Sequence, residues 1–200
     1  MTDAVTRPRT GNTIQSSKVA NRRLEVRERL LETGARLFAE RGLSDVSVEE
    51  LIDAVGISRA TFYGFFANKT ELAVAILIPV FDSGIASLSG KLPRSPRAMA
   101  GRLVDMYLEL WQQHREALLL TSMVDSTVFP HIREQHDEFG AAISKILGVI
   151  AEAGLLRNGD IALSYLLLAR TGIPLLKLYN AHPDFETVFR ESMLALLLND

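Results

Sequence analysis

The chain has 200 residues, 48% hydrophobic and 23% charged, with a formal net charge of −2 and no cysteine. That balance excludes an intrinsically disordered chain and supports a sizeable core, while the missing cysteine excludes disulfides and thiolate metal sites. No run reaches the ~18 consecutive apolar residues of a membrane span, and the N-terminus lacks the apolar stretch of a signal peptide, so a soluble cytoplasmic protein without membrane partners is expected.

The charge is unevenly placed. Residues 1–30 carry seven Lys or Arg against three acids, and residues 73–200 carry eleven against fourteen. A basic end on a mildly acidic bulk suits a chain that meets phosphates at one end only.

In chain order, residues 1–20 are rich in Thr, Ser, Asn, Gly and Arg and read as a disordered basic arm. A first helix is expected over 21–41, with Leu30, Leu31, Gly34, Leu37 and Phe38 at helical spacing and Gly42 placed to end it. Ser47 and Glu50 form a capping-box pattern that opens a second helix, whose Val48, Leu51, Ile52 and Val55 face inward up to Gly56. Ser58 caps a short third helix over 59–66. Asn68, with Glu71 three residues on, caps a fourth that runs to about Val80. Pro93 and Pro96 mark a turn, followed by helices over 98–113, 117–124 and 132–153. The turn Asn158-Gly159-Asp160 leads into an apolar helix, Ile161–Tyr179, with Pro174 inside it, and a last helix covers 185–198. No alternating strand pattern occurs, so the fold class is all-α. Its expected units are the arm 1–20, a three-helix DNA-binding domain over 21–70 and a helical domain over 71–200.

Two short helices joined by a glycine turn make a helix-turn-helix. Gly56 supplies the turn, and Val48, Leu51, Ile52, Val55, Ile57 and Phe62 supply apolar contacts that fix the angle between the helices. The second helix is then free to enter a DNA major groove of ~12 Å width. No phosphate-binding glycine loop, nucleophile elbow or catalytic triad is present, and His131, Glu134, His136 and Asp137 lack metal-ligand spacing. Neither a catalytic residue, a metal nor a cofactor is expected.

The run GLSDVSVEELIDAVGISRATFYGFFANKTEL, preceded by LFAER, resembles the N-terminal domain of the tetracycline-repressor-type (TetR) family over residues 22–73. The resemblance implies that Arg59, Ala60 and Thr61 face base edges. It further implies that Tyr63 and Lys69 hold phosphates, with Ser47 and Ser58 as further phosphate contacts at helix N-termini. Gly64 and Phe65 depart from the family pattern and remove two possible phosphate contacts. Lys18, Arg22, Arg23 and Arg27 are placed to compensate. In that family the remaining residues form a ligand-binding and dimerisation domain. Here Leu163, Leu166, Leu167, Leu194, Leu197 and Leu198 exceed what one buried helix side needs and are expected at a homodimer interface. Phe81, Met106, Tyr107, Trp111, Met123 and Phe129, with Tyr107, Trp111 and Asp125 as polar handles, are the candidate pocket for an apolar or aromatic effector. The implied partners are a double-stranded DNA operator, a second copy of the chain and a small-molecule effector. An all-α adaptor without DNA and an α-helical enzyme are the alternative classes. The capped helix-turn-helix and the basic N-terminus count against the first, and the absent ligand spacing against the second.

Overall fold

The computed structural model describes residues 11–199, with side chains from residue 19 onward. Within them lie eight helices: α1 (Gly11–Arg41), α2 (Val48–Val55), α3 (Arg59–Tyr63), α4 (Lys69–Ser89), α5 (Pro96–Thr121), α6 (Phe129–Glu152), α7 (Ile161–Tyr179) and α8 (Phe185–Leu197). Among the described residues the only β pairing is an isolated antiparallel bridge between Leu156 and Leu198. The fold is all-α.

Three helices differ most from expectation; α3 also stops at Tyr63 rather than 66, and α6 starts at Phe129 rather than 132. α1 begins at Gly11, so the part of the arm over 11–20 is helical rather than disordered, and the rest of the expected arm lies outside the described residues. No proline or glycine interrupts 12–33, so a helix anchored by its packed half propagates backward unopposed. α4 continues past Val80 to Ser89, and Pro79 within it costs one backbone hydrogen bond in an otherwise packed helix. The segments 98–113 and 117–124 form one helix, α5, kinked at His114 (φ −139°, ψ 38°), whose ring meets the Ser83 hydroxyl at 2.9 Å.

A single apolar core runs from Leu30 in α1 to Leu198 after α8. α1 packs on α2, α4 and α5, and α4 in turn packs on α5 and α6, so α4 belongs to both halves of the molecule. Gly34 of α1 lets the Leu72 side chain of α4 approach to 3.0 Å of where a Cβ would stand. α4 and α7 are both long and apolar enough to cross a membrane by length and composition. The apolarity of α4 is accounted for by its central place. The apolar stretch of α7 is only 22% buried within the chain, which leaves an apolar face bare.

Candidate nucleic-acid interface

The reader is built from caps inward. At the start of α2 the Ser47 hydroxyl accepts the Glu50 N–H at 3.2 Å, and Glu50 accepts the Ser47 N–H at 2.8 Å, the reciprocal box expected. Arg41, the last residue of α1, donates to the same carboxylate at 2.8 Å. The Ser47 backbone N–H, followed by the Arg41 guanidinium and the Ser47 hydroxyl, holds the Glu50 carboxyl down to about 2. Gly56 ends α2 in the left-handed region (φ 71°), a conformation that a side chain disfavours, and turns the chain within two residues. The Ser58 hydroxyl then caps α3 by accepting the Thr61 N–H at 3.1 Å. Phe62, fully buried, and Phe66 anchor α3 to the core, together with Leu51, Ile52 and Val55 from α2.

This anchoring turns Arg59, Ala60 and Tyr63 outward; Tyr63 is 49% exposed. Arg59 pairs with Glu49 of α2 across open solvent, an interaction worth at most ~1 kcal/mol and easily exchanged for another partner. Thr61 is half-buried, and its hydroxyl lies 2.8 Å from that of Ser58. Ser47 gives both its N–H and its hydroxyl to Glu50, so a phosphate contact through that hydroxyl requires the carboxylate to move aside.

Lys69 departs from its expected role. Its ammonium donates to the carbonyls of Leu43 (2.7 Å), Val46 (3.0 Å) and Ser44 (3.2 Å), so all three protons are spent inside the protein. It latches the first turn of α4 to the loop that enters α2 and is not a phosphate contact here. Lys69→Met should cost about 2–3 kcal/mol in urea unfolding, because three carbonyls lose a charged donor. The salt dependence of DNA binding should keep its slope. A slope smaller by about one ion would restore the phosphate role.

The α1 arginines are partly clamps as well. Arg22 is exposed, but Arg23 donates to the Gly64 carbonyl at 3.2 Å and lies 5.2 Å above the Phe65 ring. Arg27 lies 5.8 Å above Phe66, and Arg29 reaches the Val55 carbonyl at the end of α2. Phe65, which reads in sequence as a lost contact, is thus the platform for Arg23. Val19, Arg22, Arg23 and Val26 face Thr61, Gly64 and Phe65 across a groove of about 460 Å³ beside the recognition helix.

Farther from the reader, α4, α5, α6 and α7 enclose a cavity of about 240 Å³. Of the expected pocket residues, Phe81, Tyr107 and Phe129 line it. Four do not. Met106 is buried on another side of α5, and Met123 is exposed beside Gly42. The Trp111 indole donates to Asn180 at 3.3 Å and carries the Arg115 guanidinium on its ring at 4.7 Å. Asp125 is a turn-former, accepting from the N–H and hydroxyl of Thr127 and from the Val128 N–H, which hold its carboxyl low. Thr121, His136, Phe139 and Tyr165 line the cavity and were not anticipated. His136 sits edge-on to Phe129 (5.2 Å) and Phe81 (6.1 Å), which explains it without a metal.

Among the expected interface leucines, Leu163 (55%) and Leu166 (48%) are exposed and Leu167 and Leu194 are half-buried. Leu197 and Leu198 are buried within their own chain, where the Leu156–Leu198 bridge folds the C-terminal end back onto the α6–α7 turn, so they are not interface residues.

Residues 30–76 match the family model for bacterial regulatory proteins of the tetR family. The HTH-type transcriptional regulator EthR of Mycolicibacterium smegmatis is 27% identical over 88 residues, 42% of this chain and 41% of the relative. The putative mycofactocin biosynthesis transcriptional regulator MftR of Mycobacterium tuberculosis is 30% identical over 111 residues, 56% of this chain and 50% of the relative. The chain spans about half the length, or less, of these curated relatives. A tetR-family regulatory protein from Rhodococcus RHA1 superposes with a TM-score of 0.72 at 17% identity, covering 88% of this chain and 98% of that one. The ketosteroid transcriptional regulator KstR2 of Mycobacterium tuberculosis gives 0.70 at 21% identity, covering 87% and 95%. These structural likenesses show a shared fold.

Proposed function

On the premise that the chain belongs to the tetR family of bacterial regulatory proteins through its N-terminal helices, we propose a ligand-responsive repressor. It binds a palindromic operator as a homodimer, works in the cytoplasm with the DNA, and is released by a small apolar or aromatic effector. The coarser statement, a DNA-binding transcriptional regulator, rests on the family match and on the names of its relatives.

The observation that carries the reading is the outward face of α3. Arg59, Ala60 and Tyr63 project from a helix held by a cap at its start and by Phe62 beneath. Arg59 is the base reader, placed to bond a guanine edge in two places once it leaves Glu49. Tyr63 and Arg22 set the register on phosphates. α4 is the lever. Its first turn is latched through Lys69 to the loop before α2, and Phe81, twelve residues or about 18 Å along the helix, lines the cavity. An effector that favours one tilt of α4 shifts the spacing of the two readers in the dimer.

Arg59→Ala should weaken binding to the DNA upstream of the chain's own gene by roughly 1–3 kcal/mol per half-site in fluorescence anisotropy, with the unfolding midpoint unchanged. Undiminished binding by this variant overturns the base-reading role. Failure of every neighbouring intergenic fragment to bind at low salt overturns the regulator itself.

A further inference from the structure

The Tyr107 hydroxyl is a buried donor without a partner. The residue is only 6% exposed and lines the cavity, and its hydroxyl has no hydrogen-bond partner among the described residues. The fully occluded side-chain atom left unpaired among the described residues is the Ser164 hydroxyl; Tyr107 Oη is not fully occluded, and the residue lines the cavity. Gly172 of α7 makes room for the ring: a Cβ there would stand 2.6 Å from it. Burial pushes the phenol well above its ordinary range, so the proton stays on and the group donates.

The other lining groups narrow what that donor meets. None of the sixteen lining residues is Lys, Arg, Asp or Glu. The Thr121 and Ser122 hydroxyls spend their protons on the Leu118 and Leu119 carbonyls at 2.6 and 2.8 Å. His136 pairs with the Asp137 carboxylate through Nδ1 at 3.2 Å, which leaves Nε2, and Tyr165 adds a second phenol to the lining. A charged ligand would therefore enter an apolar space with no counter-ion on the wall, at a desolvation cost of several kcal/mol. The volume, about 240 Å³, is below the ~300–1,000 Å³ of drug-sized pockets and suits one ring with a short substituent.

We propose that this cavity takes an uncharged, single-ring aromatic molecule bearing a carbonyl oxygen, and that the Tyr107 hydroxyl donates to that oxygen. The inference rests on the effector reading above and adds the chemical class of the effector.

Four probes of closely similar size separate the possibilities: acetophenone, its apolar shape-match cumene, benzoate and benzylammonium. Binding to the full-length protein without DNA is followed by calorimetry and by emission of the single tryptophan, Trp111, one helical turn from Tyr107. Acetophenone is expected to bind about tenfold tighter than cumene. Tyr107→Phe should abolish that advantage and leave cumene unchanged. The wild-type ratio of acetophenone to cumene carries the test even if the variant folds poorly. The proposal is overturned if benzoate or benzylammonium matches acetophenone, if Tyr107→Phe preserves the ratio, or if no probe binds up to millimolar concentration. Operator binding is scored separately by gel shift. A protein that binds DNA but none of the probes refutes this inference alone, and one that binds acetophenone through Tyr107 but no DNA refutes only the regulator.

Discussion

Leu166→Glu is expected to split the proposed dimer into monomers and to lower operator affinity about a hundredfold or more. Leu163 and Leu166 are roughly half exposed on α7, and Leu178, at the far end of the same helix, is 69% exposed. Large apolar side chains left this bare on one helix rarely go without a partner. In the proposed dimer a second copy packs α7 to α7, with α8 alongside, and covers these side chains in a four-helix arrangement. A carboxylate placed at that seam is buried without a counter-ion, which costs several kcal/mol and splits the pair. The affinity then falls because two linked readers lose their joint binding, an avidity of about 10²–10⁴. Sedimentation equilibrium and anisotropy on the same sample check both parts. Since Leu166 is not a core residue, circular dichroism should be unchanged. A Leu166→Glu protein that still sediments as a dimer removes α7 from the interface.

Phe62→Ala should cost about 3–5 kcal/mol of stability, concentrated in the reader. Phe62 is fully buried, edge-on to Tyr63 at 5.4 Å and tilted against Phe66 at 6.2 Å. α3 has only five residues and cannot persist as a helix without this anchor. The cavity end of the molecule has its own core contacts, so hydrogen exchange should quicken most in α2 and α3, and operator binding should be lost at temperatures where α5–α8 remain protected. A loss within about 1 kcal/mol, spread evenly over the chain, would place the anchor of the recognition helix elsewhere.

Local signals in the sequence were enough for the reader and for most helix ends. The Ser47–Glu50 box, the glycine at 56 and the caps at Ser58 and Asn68 all act over three or four residues, and each stands in the structure as the spacing implies. α7 has the expected bounds for the same reason, with Asp160 capping it through the Leu163 N–H at 2.8 Å. What was not legible depends on distance along the chain. The partners of Lys69 are backbone carbonyls 23 to 26 residues earlier, and carbonyls have no identity in a sequence, so a latch was read as a phosphate contact. Arg23 and Gly64 stand 41 residues apart and were missed likewise. In the larger half, apolar spacing marks the inner side of a helix but not which inner neighbour it meets. Tyr107 therefore reaches the cavity, while Trp111, one turn on, goes to Asn180. Leu197 and Leu198 carried the same ambiguity: excess apolarity at a helix end served the chain's own fold-back and not a partner.

The central claim, that α3 of two paired copies reads DNA, is tested most directly by selecting bound duplexes from random DNA with the full-length protein. A palindrome is expected, with half-site centres about 34–36 Å or a multiple apart and a guanine whose enrichment vanishes in the Arg59→Ala protein. Recovered duplexes without a shared sequence, or a single asymmetric site that Arg59→Ala still selects, would contradict it.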